Sequence, residues 1–552
     1  MVFPMVLVKI AEWVLYHLLG NSCYKAARKL RNLLTFSKSS PFHQTHQQNH
    51  FQNPPNLFPS ITKFETRNGV SDKTLICDID GVLLRPSSSR YFHSFFPYFM
   101  LVAFEGGSII RAFLLLLSCS FLWFLDDDLK LRVLSFITFV GLRVKDMDNV
   151  ARSVLPKFFL ENLNLAVYDI WVETGSRVVF TSLPGVLVEG FLKEYLNAED
   201  VIGTKMQETE IMGRKFYTGL ASGSGFVVKQ KAAMEFFSAD KKKPELGIGN
   251  SSSLQDQLFI SICKEAYLWS EEEDQAKNSS VPRERYPKPL IFHDGRLAFL
   301  PTPLSTLSMF MWLPIGIFLA IFRLLTGIVL PYRVGLAMAG LSGVKTTFKT
   351  RNSGSDRNKQ NGVLYVCNHR TLLDPVFLSV SLAKPLTAVT YSLSKFSEVI
   401  APIKTVRLRR DREKDREMML KLLSRGDLVV CPEGTTCREP YLLRFSPLFA
   451  ELTEDIVPVA VNTEVSMFYG TTASGLKWLD PIFFLMNPKP HYCLQVLGKL
   501  PKEMTCGGGG RSSFEVANFI QRELAQVLGF ECTNLTRKDK YLALAGNEGI
   551  VK

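Results

Sequence analysis

The apolar and polar positions of this chain fall into blocks of different period. Residues 1–35 open as "MVFPMVLVKIAEWVLYHLLG" and run into "YKAARKLRNLL", with Lys9 and Glu12 interrupting the apolar run. Glu12 is the only acidic residue before Lys63. An acid-poor amphipathic start predicts either a helix lying on a membrane surface or an organellar targeting segment. Periodicity then disappears in "SKSSPFHQTHQQNHFQNPPNLFPS" (37–60), which completes a first region, 1–63, as a polar linker. His43, His46 and His50 have no carboxylate or thiol beside them there and read as solvated.

Over 64–295, short β-branched runs ("TLICDI", "SRVVFTS") alternate with helical stretches such as 185–197, the pattern of an α/β domain. Three apolar runs inside it, over 94–142, are each shorter than the ~20 residues a membrane span requires. They predict interfacial helices or a re-entrant hairpin. The charged stretch "SEEEDQAKNSSVPRERYPKP" then leads out of the domain. Residues 306–330, "TLSMFMWLPIGIFLAIFRLLTGIVL", do exceed the spanning length, with Arg323 as their one charge. Region 296–344 is therefore expected to be transmembrane, a buried helical hairpin being the alternative. A second α/β domain follows over 345–552, with strands "GVLYVCN", "DLVVCP" and "DIVPVAV". Pro458 in the last of these is expected at a sheet edge, because proline cannot donate to a ladder.

The 552 residues are 46% hydrophobic and 21% charged, with a net charge of +13. That balance implies membrane contact and anionic partners such as lipid headgroups or a phosphorylated substrate. Nucleic acid is excluded as a partner, since basic residues are not interleaved with aromatics as single-strand binders require. Ten scattered cysteines form no CxxC pair, so a reduced, cytosol-facing protein without structural zinc is expected.

"GVLYVCNHRTLLDP" reads as a strand ending at Asn368, followed by His369 and, five residues on, Asp374. On a strand-to-helix turn, Asp374 would hold His369 in one tautomer, and His369 would deprotonate a hydroxyl. Three segments follow in order. "TVRLRRDREKD" concentrates arginines, whose planar forks suit a phosphate. "VVCPEGTTCRE" offers hydroxyls and backbone N–H groups to an anion. "IVPVAVN" is a buried strand. In this order the four segments resemble the blocks of glycerolipid acyltransferases, and the whole chain resembles the land-plant membrane-bound glycerol-3-phosphate acyltransferases. The resemblance implies His369 as the base and Asp374 as its orienting partner. It assigns Arg407, Arg410, Glu433, Gly434, Thr435 and Thr436 to glycerol 3-phosphate, and Pro458 to positioning the acyl donor. The partners implied are glycerol 3-phosphate, acyl-CoA and membrane lipids, with transfer to the sn-2 hydroxyl and no cofactor. Cys431 departs from the aromatic residue that many relatives outside plants carry before Pro-Glu-Gly, a change expected to alter packing more than chemistry. The expected location is a membrane, as a multi-pass or hairpin protein of the endoplasmic reticulum, with the mitochondrion as the other candidate.

"CDIDGVLL" resembles the first motif of the haloacid-dehalogenase superfamily. There the first Asp, here Asp78, attacks phosphorus and the second, Asp80, protonates the leaving oxygen beside Mg²⁺. Thr181 supplies the second motif, and Lys229 or Lys231 the third. The metal-holding motif reads "GIGNSSSLQDQLF", with Asn250 and Leu254 where carboxylates belong and Asp256 two positions late. No metal is therefore expected, and the phosphatase fold should be inactive, leaving lysophosphatidic acid as product. The alternatives are a bifunctional enzyme releasing 2-monoacylglycerol and an inactive membrane scaffold.

Overall fold

The computed structural model describes residues 58–548 apart from 65–69, 86–94, 123, 224, 239–242, 271–279, 352–361, 392–397 and 399–400. The amphipathic N-terminal segment and the histidine-bearing linker lie outside the described residues.

Strands β1 (Thr74–Cys77), β2 (Ser176–Pro184), β3 (Asp200–Thr204), β6 (Leu246–Asn250) and β7 (Glu265–Trp269) form a parallel sheet in the order β3-β2-β1-β6-β7. An antiparallel hairpin, β4 (Met206–Ile211) and β5 (Arg214–Ala221), stands beside it. With crossover helices on its faces, β1 is buried centrally, which is why it reads as a continuous apolar run.

The second domain comprises β8 (Lys345–Thr350), β9 (Leu364–Cys367), β10 (Thr387–Thr390), β11 (Lys404–Arg407), β12 (Leu428–Val430), β14 (Ile456–Glu464) and β15 (His491–Val496). They are ordered β11-β10-β12-β9-β14-β15-β8, and only the β14–β15 pairing is antiparallel. A small parallel pair, β13 (Tyr441–Leu442) and β16 (Glu531–Cys532), lies apart. Pro458 is not on an edge strand: β14 sits between β9 and β15, with Pro458 opposite Val366. Its carbonyl accepts Leu497 N at 3.0 Å, just past the end of β15. The missing N–H points the same way, to where the antiparallel ladder has already run out. The proline is tolerated by register rather than by an edge.

The helix Pro303–Val329 is long and apolar enough to cross a membrane, with a mean hydropathy of 2.0 over its best window and only 17% of that window buried. Most of this helix is therefore exposed rather than buried within the domains. One stripe, including Gly316, Ala320 and Arg323, faces the second domain, where Trp312 Nε1 donates to Met486 O at 2.8 Å. Among the described residues Arg323 pairs with no acid. It donates to the carbonyls of Leu485 (2.5 Å), Asn487 (2.7 Å) and Pro488 (3.2 Å), tying the helix to the loop before β15. The opposite face exposes Leu304, Met311, Phe318 and Val329.

Of the apolar runs over 94–142, only the middle one, Ile109–Leu122, is exposed, through Ile110, Leu114 and Phe121. It packs on the long helix, with the Phe113 and Phe310 rings 5.3 Å apart. The first run, Phe96–Leu101, is wholly buried, and the third, Asp127–Phe139, packs against β5, so neither is interfacial. One hydrophobic cluster runs from Leu75 in the first sheet to Leu494 in the second.

Candidate active site

β9 ends at Cys367, and Asn368 extends its ladder with side-chain atoms. Asn368 Nδ2 donates to Val461 O at 2.9 Å, and Val461 N donates to Asn368 Oδ1 at 2.8 Å. The chain is therefore fixed on β14 immediately before His369. Asp374 opens the next helix, with Pro375 in the first turn where no N–H is needed. Asp374 is wholly buried and accepts from five donors. These are His369 Nδ1 (2.9 Å), Arg370 N (2.6 Å), Thr371 N (3.0 Å), Thr371 Oγ1 (3.2 Å) and Tyr492 OH (2.8 Å). With its proton on Nδ1, the imidazole keeps Nε2 as the basic nitrogen.

His369 lines a cavity of about 910 Å³. Its lining includes the apolar residues Leu373, Val376, Ile403 and Trp478, and Leu324 of the long apolar helix. The lining also includes the cations Arg410, Arg412, Arg444, Lys477 and Arg537 and the Glu433–Thr436 turn. Gly434 adopts φ +65°, a left-handed value glycine accepts without strain. Glu433 Oε1 accepts His369 N at 3.1 Å, while Oε2 finds no donor among the described residues. Burial pushes this carboxyl up to about 8.

Arg410 also has a left-handed backbone, φ +63°, where a non-glycine residue is strained. Buried Asp415 holds it there, accepting Arg409 N at 2.8 Å and Arg410 N at 3.0 Å. Arg407 ends edge strand β11, pairs with Glu398 at 2.8 Å and is not among the cavity-lining residues. Pro458 is likewise not among them. Sequence reading missed Asp415, Arg444, Lys477, Arg537, Lys540 and Tyr541. All are ordinary polar residues outside the four segments, apart from Asp415 at the end of the arginine segment.

Cys431 Sγ, a His369 ring nitrogen and an Asp374 oxygen lie within 4.8 Å of one another. These residues do not suit a metal. The Asp374 oxygens are already committed to five donors, and burial drives the Cys431 thiol well above its ordinary value, which disfavours the ligating thiolate. The thiol is nonetheless close to the dyad, nearer the chemistry than its sequence position implied.

In the first domain Asp78 follows β1 and Thr181 lies in neighbouring β2, its Oγ1 accepting Leu183 N at 3.2 Å. Asp80 is on the turn after Asp78. Of the two lysines, Lys229 enters the site, while Lys231 is exposed and lies 3.8 Å from Glu235. Lys229 Nζ is 2.8 Å from Asp78 Oδ2 and also contacts Asp256. Asp256 is thus inside the site rather than displaced from it. Ser253 caps the helix Leu254–Ile260, whose first turn carries Leu254 outward and residue 256 inward. Asn250 Nδ2 donates to Gly81 O at 3.1 Å, and its Oδ1 accepts from Ser252. These residues do not fit the Mg²⁺ of the superfamily. An amide engaged with backbone stands where one ligand belongs, and Leu254, where the other belongs, is exposed.

Two family models match this chain: "Glycerol-3-phosphate acyltransferase RAM2-like, HAD-like domain" over residues 74–269 and "Acyltransferase" over 349–462. Glycerol-3-phosphate acyltransferase 1 of Arabidopsis thaliana is 70% identical, covering 100% of both chains. Glycerol-3-phosphate acyltransferase RAM2 of Petunia hybrida is 46% identical over 86% of this chain and 97% of its own. Probable glycerol-3-phosphate acyltransferase 2 of Arabidopsis thaliana is 46% identical over 88% of this chain and 91% of its own. An acyltransferase domain carrying the His369–Asp374 pair, joined to a haloacid-dehalogenase-like domain, defines the class. The chain belongs to the glycerol-3-phosphate acyltransferase family, an enzyme family, as its motifs led one to expect.

Proposed function

We propose that this enzyme moves an acyl chain from acyl-CoA to the sn-2 hydroxyl of glycerol 3-phosphate and releases lysophosphatidic acid. The observation that carries the reading is one cavity whose lining includes His369 of the His369–Asp374 dyad, cations and apolar residues. Transfer to glycerol 3-phosphate is supported by the family; the donor, the position and the mechanism are our reading of the site. His369 Nε2 takes the proton of the acceptor hydroxyl, and the oxygen attacks the thioester carbonyl. A tetrahedral oxyanion collapses, the C–S bond breaks, and the imidazolium returns its proton to the coenzyme A thiolate. Asp374 keeps the ring oriented and stabilises the imidazolium. Arg410 and the Thr435–Thr436 turn hold the phosphate, and the apolar lining holds the acyl chain.

The exposed faces of Pro303–Val329 and Ile109–Leu122 are proposed to sit in a membrane, where the cavity's apolar lining, which includes Leu324, would meet lipid. The haloacid-dehalogenase-like domain is proposed to be catalytically inactive, because Asn250, bonded to Gly81 O, and the outward-facing Leu254 stand where the metal-holding carboxylates belong. Membranes containing the enzyme, given glycerol 3-phosphate, labelled acyl-CoA and Mg²⁺, should accumulate sn-2 lysophosphatidic acid without releasing phosphate. Monoacylglycerol with stoichiometric phosphate would overturn the inactive-phosphatase reading, and sn-1 product the positional one.

A further inference from the structure

The C-terminal helix Arg537–Ala545 lies beyond residues 349–462, the span matched by the acyltransferase model, yet it reaches the cavity. Lys540, on its inner face, is buried beneath the Thr435–Thr436 turn. Its Nζ donates to Thr436 O at 2.5 Å, Thr436 Oγ1 at 3.1 Å and Thr435 Oγ1 at 3.4 Å. All three partners are neutral oxygens, and no ion pair among the described residues includes this ammonium. A buried cation bonded only to neutral groups is costly unless an anion comes to it. The hydroxyls it holds belong to the turn that faces the cavity.

Arg537, one turn earlier on the same helix, lines that cavity together with Arg410. Its guanidinium stacks over the Tyr541 ring, 5.6 Å from the centroid, and the Tyr541 hydroxyl is 2.5 Å from Lys477 Nζ. Burial, followed by the like charge of Arg410, lowers the pKa of Arg537, against the opposing influence of Tyr541 and Glu548. Arg410 is itself fixed in a strained backbone by Asp415. Two like charges brought to one cavity suit a bound dianion.

We propose that the C-terminal helix completes the phosphate site of the acyl acceptor, with Arg537 and Arg410 contacting the phosphoester dianion and Lys540 positioning the Thr435 and Thr436 hydroxyls behind it. The inference rests on the reading of this cavity as the acyl-transfer site. Coenzyme A also carries phosphoesters. The acceptor is favoured because its phosphate lies two carbons from the reacting oxygen, and the turn is joined to the dyad through Glu433 and His369 N. The phosphates of coenzyme A lie a whole pantetheine arm away from the thioester.

The test uses the full chain in membranes, varying glycerol 3-phosphate and acyl-CoA separately. Arg537→Gln should raise KM for glycerol 3-phosphate about tenfold or more, the scale of one lost charge-assisted contact. KM for acyl-CoA should not move, and Arg537→Lys should recover part of the loss. Lys540→Met should raise the same KM with kcat at saturation largely retained. Inorganic phosphate should compete with glycerol 3-phosphate in the unaltered enzyme, and more weakly in Arg537→Gln, a comparison that Arg537→Lys also supports if the glutamine variant does not fold. An unchanged KM for glycerol 3-phosphate in a folded variant overturns the proposal, and so does a rise confined to acyl-CoA. If the unaltered enzyme transfers nothing to glycerol 3-phosphate, the reading of the cavity fails, a result distinct from any difference among variants.

Discussion

Asp374 is fully buried and surrounded by five donors, so almost any change there leaves a donor unsatisfied or the imidazole unaligned. Asp374→Asn turns one oxygen into a donor facing donors and should lower kcat by roughly 10²–10⁴. His369→Ala should cost roughly 10² to 10⁴, the scale of a lost general base. Both losses are expected with secondary structure intact by circular dichroism. Glu433 makes a pH prediction. Its carboxyl rises to about 8 in the folded state, above its ordinary 4.5. Protonation therefore stabilises the fold fully below about 4.5, and that contribution is lost as pH rises through 8. Ionisation near 8 also puts a negative charge beside the proposed phosphate site. KM for glycerol 3-phosphate should climb above pH 8, and Glu433→Gln should flatten that climb in a pH profile. At this scale the sequence was informative where the spacing is local. His369 and Asp374 are five residues apart on one turn, so their meeting needs no distant packing.

The arginine segment shows what a local pattern leaves undecided. Its cations are clustered in sequence, yet Arg407 goes to Glu398 and Arg410 to the cavity. The divider is Asp415, which accepts both amides of the turn and fixes the left-handed residue. Asp415→Ala should release that turn and raise KM for glycerol 3-phosphate several-fold while kcat changes less, read from initial rates. Helix phase decided the other site in the same way. Counting positions put Asp256 out of reach, whereas the cap at Ser253 starts a helix whose third residue faces Lys229.

The two domains are joined by more than the apolar helix. Buried His293 sits between Glu439, 2.8 Å from Nε2, and Arg438, whose Nη1 is 3.3 Å from Nδ1. The arginine facing Nδ1 requires a neutral ring with its proton on Nε2. Arg283 reaches the same Glu439 at 2.7 Å, and Asp294 lies 3.4 Å from Arg438. Burial lowers His293 to about 4, below its ordinary 6.5. A histidine depressed by folding contributes stability that is full above 6.5 and is lost as pH falls toward 4. The thermal midpoint in detergent should drop across that window, and His293→Gln, which donates and accepts without titrating, should flatten the drop.

The sequence by itself determined the two α/β domains, the long apolar helix, the four ordered segments and the dyad. These depend on periodicity and on contacts a few residues apart, which the chain imposes locally. Only the tertiary structure decided which cations converge. Lys477, Arg537 and Lys540 come from far along the chain, and nothing in their neighbours marks them. It also decided that Asp256 and Lys229 close the phosphatase-like site, and that Pro458 can occupy an interior strand. Direction and register decide such cases. A side chain's destination follows from helix phase, turn conformation and where a neighbouring ladder stops, and distant packing sets all three.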